Sequence, residues 1–364
     1  MTPTVKDKDN IKDVRLFKAI APLRKPISDA THTLSEISFL VLRIQTSSGV
    51  TGESYLLSFQ YSRNAIVGAI KDLQSLACRY TIWETGKFNQ AAAAYHEYFG
   101  KTGLLNWATA LYNIAMWDAK GRALQLPVHK IFGATRDTVP VYGSGGWLSY
   151  TSDELVEEAC NYVSRGFEAV KIKVGSYNWR IDLDRLKMVR RAVGDGVKIM
   201  MDANQGMSVP AACELSTAAE DLNIHWFEEP IDHQDFDGYK KVKDVTRISL
   251  AMGEREFDTL PLKELIRRNA IDLWQPDLLR IGSVEAYRQS AALAASHHIP
   301  VLPHYYKDYD VPLLCSVANG MGAESFDWID QLIDNPMKVK NGHLSPHDVP
   351  GWGFSFLDEH LHAL

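Results

Sequence analysis

Two patterns of apolar and polar positions divide the chain. Over the first third, strand-like runs at 38–44 and 50–56 precede longer stretches, 66–76 and 104–124, that carry helical patterning. Strands followed by helices, rather than alternating with them, predict an α+β unit. From residue 139 the order changes. The short runs VPVYGSG, AVKIKV, KIMMDAN and HWFEEP alternate with helical stretches at 152–165, 180–194 and 209–221, and the alternation continues toward residue 326. That is a series of βα units, which predicts a parallel sheet.

The polar residues that end these runs recur at a countable interval. Lys173, Asp202, Glu228, Glu254, Asp277, His304 and Asp327 are separated by 29, 26, 26, 23, 27 and 23 positions. One unit of a (β/α)8 barrel takes about 25–30 residues, so each falls about one unit after the last. In a closed barrel the C-terminal strand ends converge on one mouth, whereas in an open sheet they spread along a crevice. The predicted fold is therefore an α/β protein with a TIM-like barrel preceded by an α+β unit.

Composition narrows the function without naming it. The 364 residues are 46% hydrophobic and 23% charged, with 39 Lys+Arg against 45 Asp+Glu and a net charge of −6. This is globular usage with no field to collect nucleic acid or anionic lipid. Neither GxGxxG nor a phosphate-binding GxxxxGK[ST] occurs, which argues against nucleotide chemistry. Cys78, Cys160, Cys213 and Cys315 lie far apart with no CxxC, so reduced thiols are expected rather than disulfides or a thiolate zinc site. The N-terminus lacks the apolar stretch of a signal peptide, and no apolar run reaches the roughly 18 residues of a membrane span. A cytoplasmic protein is expected.

Three strand-end acids, Asp202 in MMDANQG, Glu228 in HWFEEP and Glu254 in MGERE, follow apolar runs. Burying a charge there is costly unless it is paired or binds a metal. Each alone could cap a helix or pair with a basic residue. Together, converging, they suit a hard divalent cation, Mg²⁺ with Mn²⁺ as substitute. Lys171 and Lys173 in AVKIKVG are two apart, on one face of a strand, where mutual repulsion and burial would depress a pKa and make a general base. The other reading is an edge strand with solvated lysines. His304 in VLPHYY follows another apolar run, and Asp277 in WQPDLLR, one strand earlier, could orient its imidazole; a lone buried His is otherwise a satisfied core residue.

The ordered set KxK, DANQ, FEEP, MGE, QPD before RIGSV, and the later PH resembles the enolase superfamily, specifically its mandelate racemase subgroup. In the front third, IAPLRKP, GVTGESYL and MWDAKGRALQLPVHKIFGA resemble that family's capping domain and barrel entry. The resemblance implies a (β/α)7β barrel at 136–332, a capping domain at 1–135, and a C-terminal segment, 333–364, that returns to the cap. It implies that Asp202, Glu228 and Glu254 bind Mg²⁺. Lys173 would be the base on one face of the substrate α-carbon, with Lys171 lowering its pKa and touching the substrate carboxylate, and His304 with Asp277 would act from the other face. Ser144 and Asn204 match substrate-contacting positions, and Glu229 would stand behind the metal ligands. The last-strand acid, commonly Glu in the family, is matched best by Asp327, with Glu324 as the competing assignment. Homo-oligomerisation is common in the family.

Such a site removes a proton next to a carboxylate. Two groups flanking one carbon allow racemisation or epimerisation; the same pair can abstract with one residue and protonate a leaving hydroxyl with the other, which is acid-sugar dehydration. The loop 26–34, including Ile27 and Thr31, and Tyr305 and Tyr306 after the histidine are expected to line the substrate pocket. That lining is rich in hydrogen-bonding groups, favouring a small polyhydroxy acid over an aryl acid, unless the loop faces solvent. Dehydration of an aldonate or aldarate to a 2-keto-3-deoxy acid is the leading reading. A racemase or epimerase of a 2-hydroxy acid comes next, and a non-catalytic metal or sugar-acid binder last.

Overall fold

The computed structural model describes residues 9–100 and 102–364. The alternating runs form the strands Val139–Gly145, Ala169–Lys173, Lys198–Asp202, Ile224–Glu228, Ser249–Met252 and Leu273–Trp274, which lie side by side, parallel, in chain order. Val301 bridges Trp274 on one side and Gly320 on the other, and Ala323–Ser325 pairs with the first of these strands. The sheet thus closes on itself. Helices Ser152–Ser164, Trp179–Val193, Val209–Ala218, Phe236–Val245, Leu260–Arg268, Val284–Ser296 and Lys307–Leu314 fill the gaps between strands, giving the (β/α)7β order.

Strand alternation decides what faces the barrel interior. Tyr142, Met200, Trp226, Ala251, Leu273 and Leu302, with Ala169 against them, form an apolar layer of their own inside the ring. Two residues further along, the same inward face carries Ser144, Lys171, Asp202, Glu228, Gln275 and His304. A side chain that faces inward at one position faces inward again two residues later, one layer nearer the mouth. The register aligns this polar layer: Lys173 pairs with Asp202, and Asp202 with Glu228, on three neighbouring strands.

Ahead of the barrel, Ile11–Ala21, Ile37–Thr46 and Thr51–Leu57 make an antiparallel sheet, which His362–Ala363 from the C-terminus extends along the outer edge of Ile11–Ala21. Helix Leu104–Leu124 packs across this sheet so closely that a Cβ at Gly52 would lie 2.1 Å from the Ala115 carbonyl oxygen. The buried carboxylate of Asp118 on this helix joins three segments. It accepts from the backbone N–H of Glu53 (2.9 Å), the backbone N–H of Trp352 (2.9 Å) and the Nε of Arg122 (2.7 Å). Among the described residues, no helix is long and apolar enough to cross a membrane.

A small hairpin, Ile27–Ser28 with Thr33–Leu34, reaches from the cap to the barrel mouth. Its Ser28 carbonyl accepts from Leu148 N (2.8 Å) and its Ser28 N donates to Ser149 Oγ (3.1 Å). The tip residue Ala30 sits where a Cβ on Gly175 or Gly206 would be, at 2.7 and 2.3 Å, so the loops after the second and third strands have room for it only because they carry glycine. Asp118→Ala would leave two buried N–H groups unpaired and is expected to destabilise the fold by about 3 kcal/mol or more, with Asp118→Asn costing less. The midpoint of urea unfolding checks this.

Candidate active site

The polar layer at the barrel mouth is a network of buried ion pairs. Lys171 Nζ lies 2.6 Å from Glu228 Oε1, 2.6 Å from Glu324 Oε1 and 3.5 Å from Asp202 Oδ2, and Lys173 Nζ lies 2.6 Å from Asp202 Oδ2. The other Glu228 oxygen accepts from the Gln275 amide (2.8 Å) and the Trp226 indole (3.2 Å). Glu254 leaves the ring at Gly253, whose φ of 140° turns the chain, and faces His304 Nε2 at 3.4 Å and Arg255 at 3.3 Å. The Nδ1 of His304 is 2.8 Å from Asp277 Oδ2, while Asp277 Oδ1 accepts from the backbone N–H groups of Leu279 and Arg280, which fixes the carboxylate in its turn. Asp202, Lys171, Lys173, Glu228, Glu254, His304 and Asp277 thus come together, from six strands.

Burial and charge work against each other here. Burial opposes ionisation of Glu228, Lys171 favours it, and Asp202, Glu324 and Glu254 oppose it again, leaving the carboxyl pushed up to about 7. Burial likewise opposes the ammonium of Lys171, but Glu228 and Glu324 outweigh it and hold its pKa well above the usual lysine range. For Lys173, burial and Lys171 lower the pKa, yet Asp202, Asp29 and Glu324 together outweigh them and raise it. The depressed lysine expected from the KxK spacing is therefore corrected: the spacing brings two lysines together, but the carboxylates facing them decide the sign. His304 is raised too, burial being outweighed by Glu254 and Asp277.

Asp327 is corrected in favour of Glu324. The Asp327 carboxylate lies beyond the strand end and pairs with Arg165 at 2.6 Å, with a third of its side chain exposed. Glu324 stands within the last strand, almost fully buried, with one oxygen on Lys171 and the other accepting from Tyr305 N (2.9 Å). Strand alternation separates the two: residue 324 points inward, whereas residue 327 has already left the ladder.

The mouth opens into a cavity of about 680 Å³ between barrel and cap, lined by Lys173, Glu254, Asp277, His304, Asn204, Tyr305 and Tyr306 among others. Ile27 and Thr31 do not line it, a second correction. The Ile27 side chain is buried within the fold, and Thr31 is exposed, bonded to Asp29 and His32 within the hairpin turn. Asp29, His32 and Leu34 line the cavity in their place. Nor is the lining mainly polar: Phe59, Trp147, Phe326 and Trp328 form much of one wall. Gln275, the aromatic wall, Arg255 and Arg280 carry roles that sequence reasoning missed. The QPD string and the FDW after the last strand were the available signals.

Whether these residues suit a cation is answered by their chemistry. Among the described residues, no three side chains already stand at metal-ligand spacing. Asp202, Glu228 and Glu254 are nonetheless buried oxygen donors on consecutive strand ends, and the neighbouring acids raise the Glu228 carboxyl, so added positive charge would favour its ionised form. Two further buried oxygens, Ser144 Oγ and Asn204 Oδ1, have no hydrogen-bond partner among the described residues. The donor set fits a hard divalent cation.

A closed (β/α)7β barrel with lysines and carboxylates at its mouth, beneath an α+β cap, is the architecture of the enolase superfamily. Residues 11–133 match the mandelate racemase / muconate lactonizing enzyme N-terminal domain, and residues 154–360 match the enolase C-terminal domain-like family. The chain belongs to this family and is an enolase-superfamily enzyme, a lyase or an isomerase. It is 28% identical over 358 residues to L-talarate/galactarate dehydratase of Salmonella typhimurium LT2, covering 96% of this chain and 90% of that one. The solved structure of that dehydratase with Mg and L-lyxarohydroxamate superposes with a TM-score of 0.92 at 27% identity, covering 99% and 94% of the two chains. A racemase from Streptomyces coelicolor A3(2) with bound magnesium gives 0.92 at 28% identity, covering 97% and 100%.

Saturating Mg²⁺, at about a hundredfold over its Kd, is expected to stabilise the protein by about 2.7 kcal/mol, seen as a rise in melting temperature. Glu228→Gln should lose that rise. Asp327→Ala should keep it, since Asp327 stands apart from the carboxylate network.

Proposed function

We propose that this enzyme removes the α-proton of an acid sugar and expels its β-hydroxyl, giving a 2-keto-3-deoxy acid. The observation that carries the reading is that Lys173 and His304, each tied to a carboxylate, line one cavity whose floor is the charged network. Similarity to a talarate/galactarate dehydratase supports dehydration over racemisation. Asp202, Glu228 and Glu254 would hold Mg²⁺, which supplies positive charge beside the substrate carboxylate when bound.

A proton α to a carboxylate is too weakly acidic for a side-chain base unless the enediolate is stabilised as it forms. Lys171, clamped between Glu228 and Glu324, keeps its ammonium and offers preorganised positive charge at the developing oxyanion. Lys173 is the base: burial and Lys171 favour its neutral amine, and Asp202, the first of the acids that oppose them, is one of those that would hold Mg²⁺. Its Nζ takes the α-proton, and the C–H electron pair enters the enediolate. Protonated His304, oriented by Asp277, gives its proton to the β-oxygen. The C–O bond breaks, water leaves, and the enol tautomerises to the 2-keto acid. Ser144 and Asn204, each with an unpaired buried oxygen, supply contacts to the substrate. We assign 1–135 and 333–364 to the cap that encloses it and 136–332 to the barrel. The free thiols support a reducing, cytoplasmic setting, and the family resemblance supports a homo-oligomer.

A screen of acid sugars with Mg²⁺ is expected to yield a 2-keto-3-deoxy product from at least one isomer, and chelation to silence it. Exchange of the α-proton in D₂O with no keto acid formed would replace dehydration by racemisation. Lys173→Ala should abolish reaction at one α-configuration while His304-dependent exchange at the other persists. Equal residual activity on both would contradict the two-face arrangement.

A further inference from the structure

The network at the barrel mouth accounts for one end of the substrate, and the rest of the cavity describes the other end. Away from the charged floor, one wall is a continuous aromatic surface. Trp147 stacks on Trp328 with centroids 5.9 Å apart, Phe326 stacks on Trp328 at 4.5 Å, and Tyr305 and Phe59 meet the same indole at 5.8 and 6.3 Å. The wall begins beside the base, with Lys173 Nζ 5.4 Å from the Trp147 ring, and ends in the cap at Phe59. Such a surface receives the C–H face of a sugar chain and offers no positive charge to a carboxylate.

Two cations elsewhere in the cavity, Arg255 and His233, face carboxylates outside the proposed metal set, Glu229 and Glu256. Arg255 lies 2.9 Å from Glu229 and 3.3 Å from Glu254, and His233 lies 2.7 Å from Glu256. Arg280 donates to the Glu254 carbonyl, sits 3.9 Å from its carboxylate, and covers the Trp107 ring. The hairpin over the mouth brings a negative charge instead. Asp29 lines the cavity, and although burial opposes its ionisation, His32, Lys173 and two backbone N–H groups hold its pKa down to about 2. Its hydrogen bonds, from Thr31 N, Thr31 Oγ and His32 N, all fall on Oδ1, leaving Oδ2 as an acceptor.

We infer that the substrate is a monocarboxylate of the aldonate type, its uncharged distal end resting on the Trp328 wall with a hydroxyl donated to Asp29, and that Asp29 excludes the second carboxylate of an aldarate. The inference rests on the dehydration reading and narrows it. It separates this chain from the similar enzyme named for talarate and galactarate, both diacids. Selectivity comes from repulsion as much as from contact: a second carboxylate meets a like charge at Asp29.

The test is kcat/KM, with saturating Mg²⁺, over a panel of five- and six-carbon aldonates and the aldarates of the same configuration. The expected result is a preference for the best aldonate over its aldarate of about tenfold or more, which corresponds to about 1.4 kcal/mol of discrimination. Asp29→Asn should narrow that ratio at least about fivefold by raising the aldarate arm. Trp328→Ala should raise KM for the aldonate more than it lowers kcat, with Trp328→Phe restoring most of the loss. Aldarates preferred by the wild type, or a ratio unmoved in folded Asp29→Asn, would overturn the inference and leave the dehydratase reading standing. If no acid of either class exchanges its α-proton or turns over, the dehydration reading itself falls, and this inference with it.

Discussion

Buried like charges must be neutralised, and the barrel mouth is arranged around that requirement. Asp202, Glu228, Glu254 and Glu324 crowd one layer from which water is nearly excluded, against Lys171 and Lys173. Isolated burial of any one carboxylate would cost far more than the fold could absorb. Lys171 touches three of the four, so its position and protonation state are shared properties of the ring rather than its own. The same crowding that makes the layer expensive also makes it responsive: added positive charge would release Lys173 from Asp202, converting a structural ion pair into a chemical group.

That layer depends in turn on the apolar ring beneath it. Tyr142, Met200, Trp226, Leu273 and Leu302 fill the barrel and set the height at which the next inward side chains emerge. The cap shares one apolar core with the barrel, and hydrogen bonds cross the boundary as well. Tyr55 N donates to Tyr309 Oη, Leu57 N donates to Tyr306 Oη, and Asp118 ties in the C-terminal segment. Tyr309 stands on the helix Lys307–Leu314 and Tyr306 is its N-cap, so the strand-end histidine and the cap are positioned by one short stretch of chain.

Much of this was legible in the sequence because it follows from periodicity. Spacing of about 25 residues between strand-end polar residues marked the barrel, and two-residue alternation put both lysines on one face. What escaped depends on where the chain leaves regular structure. Asp327 matched the spacing as well as Glu324 did, and only the ladder's end distinguishes inward from outward. Ile27 and Thr31 belong to a hairpin whose register, Ile27 opposite Leu34, sends different side chains into the cavity from those the composition suggested. The direction of the lysine pKa shift was invisible because it is set by acids at positions 202, 228 and 324, whose distances no linear spacing reports.

Ala30 at the hairpin tip occupies space left by Gly175 and Gly206, which stand on loops after two different barrel strands. The hairpin carries Asp29, and those loops follow the strands that carry Lys173 and Asp202. The hairpin and the two loops after the strands are therefore mechanically interlocked at three small residues. Any larger side chain at the tip, or on either loop, would lift the hairpin and shift its acid away from the cavity. An evolving lineage could exchange the hairpin's chemistry freely at Asp29 or His32, yet could change its bulk at the tip only by altering three separate segments together.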